Sequence, residues 1–141
     1  MSKVIGVDFG LKRTGIAITD DLRIIASPLD VVDSSKLMDY LMELISKEQV
    51  STIVLGYPTR LDGSDSHITE NVRILKSELE KTFPNAHVFF QDERYSSAES
   101  RKVIHAVGKK KQQKNKGLID KISAAIILQD YLETLNNLQS K

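Results

Sequence analysis

The chain has 141 residues, 40% of them apolar and 28% charged, with no cysteine and a formal net charge of +1. That length and balance fit one globular domain over 1–141 with a single sizeable core. They leave no room for a disulfide framework, a thiolate metal site or a cysteine nucleophile. The absence of cysteine is consistent with a cytoplasmic home, and no apolar run approaches the ~18 residues of a transmembrane helix, so no membrane partner is expected.

The opening stretch, Val4-Ile5-Gly6-Val7-Asp8-Phe9-Gly10, reads as a strand rather than a charged-then-apolar leader. Lys3 to Asp8 is the first strand. Leu11-Lys12-Arg13 belongs to a turn, and Thr14 to Thr19 is the second strand. Asp20 to Arg23 supplies turn chemistry, and a third strand is expected to start over Ile24 to Ser27. Three strands joined by short turns make an antiparallel meander.

Asp33 or Ser34 can cap a helix running to about Glu48, with Leu37, Leu41, Leu44 and Ile45 on one face. Ser51 to Leu55 reads as a buried strand, and Tyr57 to Ser66, with Pro58 and Gly63, as a loop. Ile68 to Thr82 is helical, with Val72, Leu75 and Leu79 aligned. Ala86 to Gln91 is the last strand. Ser96 and Glu99 form a capping box for a helix to about Val107. Gly108 to Gly117 is a basic loop, and Leu118 to Leu135 the final helix. Strands joined through helices are parallel, so the expected fold is α/β: a mixed five-stranded sheet flanked by helices.

Charge is unevenly spread. From Arg101 to Lys121 there are eight Lys or Arg against the single acid Asp120, which leaves the remainder of the chain net negative by six. Such asymmetry signals a polyanionic partner, although a charge run alone is more often a solvated loop.

Three acids stand at comparable places. Asp8 ends the first strand, Glu93 follows the last, and Asp120 opens the final helix. At ~100° per residue Asp120 shares a stripe with Ala124, Ile127, Tyr131, Leu135 and Leu138, so it heads an apolar face that two small alanines let close on the sheet. Taken singly, Asp8 can cap a turn and Asp120 can favour a helix N-terminus. Taken together, clustered carboxylates repel unless divalent cations sit between them. Hard oxygen ligands without histidine or cysteine suit Mg²⁺ or Mn²⁺ and phosphodiester cleavage. Asp92 and Glu93, as neighbours on a strand, cannot both point inward, and Glu93 is the one chosen. His67, His87 and His105 show no ligand spacing.

Four stretches carry a resemblance: VDFGLKRTGIAITD around Asp8, the GYP…DGS loop from Gly56 to Ser64, DERYSSAE from Asp92 to Glu99, and NKGLIDKISAAIILQDYL from Asn115 to Leu132. In this order the chain resembles the YqgF/RuvX family of candidate Holliday junction resolvases, also described as pre-16S rRNA nucleases, within the ribonuclease H-like superfamily. The resemblance implies a ribonuclease H-like fold and metal-binding catalytic roles for Asp8, Glu93 and Asp120. Arg13 and Arg94 match arginines of the family's motifs. Their forked guanidinium groups suit phosphate oxygens, or equally a structural carboxylate. Lys109, Lys110, Lys111, Lys114 and Lys116 would then neutralise phosphates and feed a strand toward the acids. Thr59-Arg60-Leu61 departs from the Leu-Asn-Met-like run of many members.

The expected activity is a nuclease of the two-metal-ion type. It would act on structured nucleic acid, either at the 5′ end of 16S precursor rRNA or on branched DNA, as a monomer or homodimer. The alternatives are a non-catalytic nucleic-acid-binding module in ribosome maturation and a nucleotide-binding phosphotransferase. The second needs a partner domain and an adenosine motif that 141 residues do not supply.

Overall fold

The computed structural model describes residues 2–57, 68–92 and 116–139, with side chains throughout except at 92, 116–120 and 136–139. The Pro58–Ser66 part of the expected loop, the Ser96–Glu99 capping box with its helix, Tyr95, His67, His105 and the basic stretch from Gly108 to Asn115 lie outside these residues.

The elements run β1 (Lys3–Asp8), β2 (Arg13–Thr19), β3 (Ala26–Asp33), a 3-10 turn (Ser34–Lys36), α1 (Leu37–Glu48), β4 (Val50–Tyr57), α2 (Thr69–Thr82), β5 (His87–Asp92) and α3 (Lys116–Gln139). Lys116 and Gly117, assigned to the basic loop on sequence, already belong to α3. The strands form one sheet in the order β3-β2-β1-β4-β5. β1 pairs with β2, and β2 with β3, antiparallel; β1 with β4, and β4 with β5, are parallel. This is the mixed, helix-flanked sheet expected from the order of elements.

Side-chain alternation along the strands sorts the core into two layers. Ile5 and Val7 of β1 join Ile16, Ile53, Leu55 and Val88 on one face. Over them lie Leu37, Leu41 and Leu44 of α1 and Val72, Leu75 and Leu79 of α2, the residues whose helical spacing marked those faces. On the opposite face Val4, Ala17 and Val54 pack against Ala124, Ala125, Ile127 and Leu128 of α3.

The third strand departs from its expected start. Ile24 and Ile25 lie outside any strand, and β3 begins at Ala26. The cause is Asp20, whose Oδ1 accepts the backbone N–H of Ile24 at 2.7 Å and of Ile25 at 3.1 Å. A side chain that captures two backbone donors takes them out of the sheet ladder. Arg23 holds the left-handed position of this turn (φ 57°) while its guanidinium donates to Ser2 O and Ser51 Oγ. Further along, Ile16 aligns with Asp30 but Ala17 with Pro28, which leaves Leu29 as the extra residue of a β-bulge.

Candidate active site

The three parallel strands run out at one edge of the sheet. Val7 is level with Leu55, Leu55 with Phe90, and Tyr57 with Asp92, so β1 ends at Asp8 beside the ends of β4 and β5. Strand ends on this side of an open α/β sheet are where ligands bind. Asp8 is half-buried and opposite Gly15 of β2. Val4 and Gly6 lie on the α3 side of the sheet while Ile5 and Val7 face α1 and α2, so alternation puts Asp8 on the α3 side.

Gly6 explains how α3 comes so near. A Cβ there would lie 2.8 Å from Leu128 Cβ and 2.9 Å from the Ala124 carbonyl oxygen, closer than any side chain tolerates. The glycine and the two alanines thus let helix backbone rest on strand backbone. The direction of α3 follows from Gln129, whose Oε1 accepts the N–H of Ala26 at 3.1 Å. Ala26 is level with Thr19, and Thr19 Oγ1 accepts the N–H of Val4. The C-terminal part of α3 therefore lies at the start of β1, and its first turns head toward the Asp8 end. From the Gly6–Ala124 crossing, Asp8 is two residues, about 7 Å, along the strand. Position 120 is four residues, about 6 Å, back along the helix toward the same edge.

The turn after Asp8 is tied at several points. Ser34 Oγ donates to Gly10 O at 2.6 Å, Ser34 N–H donates to Lys12 O at 3.0 Å, and Thr14 Oγ1 is 2.8 Å from Ser34 Oγ. Gly10 is obligatory for space, since a Cβ would come within 2.5 Å of Arg13 O. On sequence, Ser34 is a possible helix cap. Asp33 instead caps only the short 3-10 turn, accepting from Ser35 N–H at 3.0 Å, while α1 itself follows Lys36 with no side-chain cap, and Ser34 is left to hold the turn. The same contacts, with the Ser35 hydroxyl foremost, hold the Asp33 carboxyl below the usual carboxylate range.

Arg13 opens β2, exposed, with Asp33 as its neighbour across the ladder. At the ends of β4 and β5 the Tyr57 and Phe90 rings meet edge to face at 4.7 Å. Arg73 lies over Tyr57 and donates to its hydroxyl at 3.0 Å, and Lys76 lies over Phe90. Sequence reading gave Tyr57 no partner. His87 is exposed, its ring 6.3 Å from Phe89, and belongs to no metal-holding group among the described residues.

Glu93, Arg94, Lys109, Lys110, Lys111 and Lys114 lie outside the described residues, as do the side chains of Lys116 and Asp120. Among the described residues no three His, Cys, Asp or Glu side chains form a metal-holding group; of the three acids singled out on sequence, Asp8 alone has its side chain there. A half-buried carboxylate at an open strand end is a hard oxygen donor, and that chemistry fits Mg²⁺ or Mn²⁺. Among the described residues no helix is long and apolar enough to cross a membrane.

The fold is that of known resolvases. The chain is similar to the fowlpox virus resolvase, solved with substrate Holliday junction DNA, at a TM-score of 0.60 and 16% identity over 94% of this chain and 98% of that one. It is similar to Thermus thermophilus RuvC, solved with a Holliday junction substrate, at a TM-score of 0.57 and 15% identity over 90% of this chain and 92% of that one. In sequence it is 40% identical over 135 residues to a candidate pre-16S rRNA nuclease of Phocaeicola vulgatus, covering 95% of this chain and 97% of that protein. It is 38% identical to a protein of the same name from Bacteroides fragilis, covering 95% and 98%. The RuvX family, described as Holliday junction resolvase, matches residues 2–134, and the chain belongs to that family of nucleases.

Proposed function

We propose that this protein is a divalent-metal-dependent nuclease that hydrolyses phosphodiester bonds in structured nucleic acid. Its substrates would be the 5′ end of 16S precursor rRNA or branched DNA, as the names of its relatives suggest. One observation carries the reading. Asp8 ends β1 on the α3 side of the sheet, and the first turns of α3 head for that same edge. A convergence of Asp8 with Asp120 is supported by the similar offsets of residues 8 and 120 from the contact of Gly6 with Ala124. Glu93 directly follows Asp92, the last residue of β5, in the sequence.

Asp8, Glu93 and Asp120 would hold Mg²⁺ or Mn²⁺. Such ions, when bound, lower the pKa of a water and stabilise the leaving oxygen of an in-line displacement. The chain's own contribution would be to present these three carboxylates together and to bring phosphate to them. Arg13, at the far side of the turn from Asp8, would bind a phosphate oxygen, together with Arg94. Lys109, Lys110, Lys111, Lys114 and Lys116 would neutralise the neighbouring backbone.

The deciding experiment offers the purified protein a 16S precursor end and a four-way DNA junction, with Mg²⁺, with Mn²⁺ and with chelator. Cleavage is expected with metal only. Asp8→Asn, Glu93→Gln and Asp120→Asn should each lower the rate by about a hundredfold or more, with the folded state intact by circular dichroism. Full activity in the triple variant would end the proposal.

A further inference from the structure

We infer that Ser34 is a positioning residue for phosphodiester cleavage: its hydroxyl sets the path of the turn that separates Asp8 from Arg13. The inference rests on the nuclease reading and adds a residue outside the set of acids and cations. Ser34 comes 26 positions after Asp8 and belongs to the 3-10 turn that precedes α1. It grips the Phe9–Lys12 connection twice, by Oγ to Gly10 O and by its own N–H to Lys12 O.

The hydroxyl has a defined direction. A serine has one O–H to give, and at 2.6 Å it goes to the Gly10 carbonyl, which has none of its own. The bond between Thr14 Oγ1 and Ser34 Oγ must then run from Thr14 to Ser34. Thr14 is fully buried, so its hydroxyl does not trade this partner for water. The result is a directed chain, Thr14 to Ser34 to Gly10 O, anchored in the core layer and ending on the turn.

Gly10 makes the arrangement tight. With Arg13 O where a Cβ would be, the turn closes on itself, and both of its ends are strand residues. The backbone positions that carry a carboxylate and a guanidinium, both needed at one phosphate, are thereby kept at a fixed spacing. Catalytic rates depend on such spacing far more steeply than affinities do: a misplacement of ~1 Å can cost ~100-fold. The Gly10 and Lys12 carbonyls carry no charge that substrate would feel at a distance. Their grip is therefore expected to act on the chemical step and not on capture.

The test compares Ser34→Ala, Ser34→Thr, Thr14→Val and Asp8→Asn for cleavage, nucleic-acid binding over a salt series, and thermal midpoint. Amide exchange of residues 10–13 is followed alongside. Ser34→Ala should lower kcat roughly tenfold and speed exchange in the turn, with KM and the salt slope of binding unchanged. Ser34→Thr, which keeps the hydroxyl, should restore kcat. Thr14→Val, which removes only the donor that orients Ser34, should give a smaller loss in the same direction. Wild-type kcat in Ser34→Ala, or a loss that Ser34→Thr fails to restore, overturns the inference. So does a loss confined to KM and the thermal midpoint. Wild-type activity in Asp8→Asn would instead overturn the nuclease reading itself.

Discussion

Tyr40 shows how a single residue couples this fold to pH. Burial first, then the negative charge of Asp30 and a hydrogen bond to it, push the Tyr40 hydroxyl up to about 12. The folded state thus favours the neutral phenol, and the stability this contributes is complete below the ordinary tyrosine value of 10.0. It is lost as pH rises from there through about 12. Denaturant midpoints measured across that window should fall for the wild type and fall less for Tyr40→Phe, which has no proton to lose. At this scale the sequence was informative where one residue announces its own context. Asp8 could be read as a strand-end acid because four small or apolar residues lead into it and glycines flank it. Ser34 could not. Its signal, a serine just ahead of a helix, was already accounted for by capping, and its true partner lies 24 residues away.

At the level of elements, periodicity carried most of the information. The residues at helical spacing in α1 and α2 are the ones buried against the sheet. The division of β1 between the two layers follows its alternation, which the run of small and apolar residues did not disclose. The start of β3 was missed because Ile24 and Ile25 look like strand residues, and only the Asp20 carboxylate, through its bonds to their amides, withdraws them. The contact of α3 with β1 was half legible. Ala124 and Ala125 predicted a close helix, but the partner surface, Gly6, is a residue type whose role sequence does not disclose. Its importance gives a clear expectation. Gly6→Ala would press a methyl into Leu128 and the Ala124 carbonyl, lifting α3 at a cost of roughly 1–3 kcal/mol. Adding Leu128→Ala would relieve only part of this, because the carbonyl stays. Chemical denaturation of the single and double variants measures both.

For the molecule as a whole, the order of strands could be anticipated only in outline. Crossover helices required parallel pairs and short turns required antiparallel ones. That β1 ends up central, with β4 rather than β3 on its other side, is a matter of long-range packing. The charge distribution is likewise a whole-chain property. Eight cations against one acid in 101–121 oppose a net negative remainder, so the protein is expected to approach a polyanion with that segment leading. Replacing Lys109, Lys110 and Lys111 with glutamine should weaken binding to duplex and flatten log K against log salt by up to about three units, at roughly 0.9 for each phosphate that is no longer neutralised. Metal binding, followed by calorimetry, should be unaffected. An unchanged salt slope would assign those lysines to solvation.

The bulge at Leu29 has an effect on how molecules of this protein behave toward one another. An open sheet ends in strands whose outer backbone groups invite further pairing, the route by which crowded chains stick together. On the β3 side that invitation is spoiled three times over. Pro28 withholds a donor, Leu29 throws the strand out of step, and Asp30 sets a negative charge beside them. Concentrated protein should therefore stay dispersed along this border, and Pro28→Val would remove one of the features that keep it so.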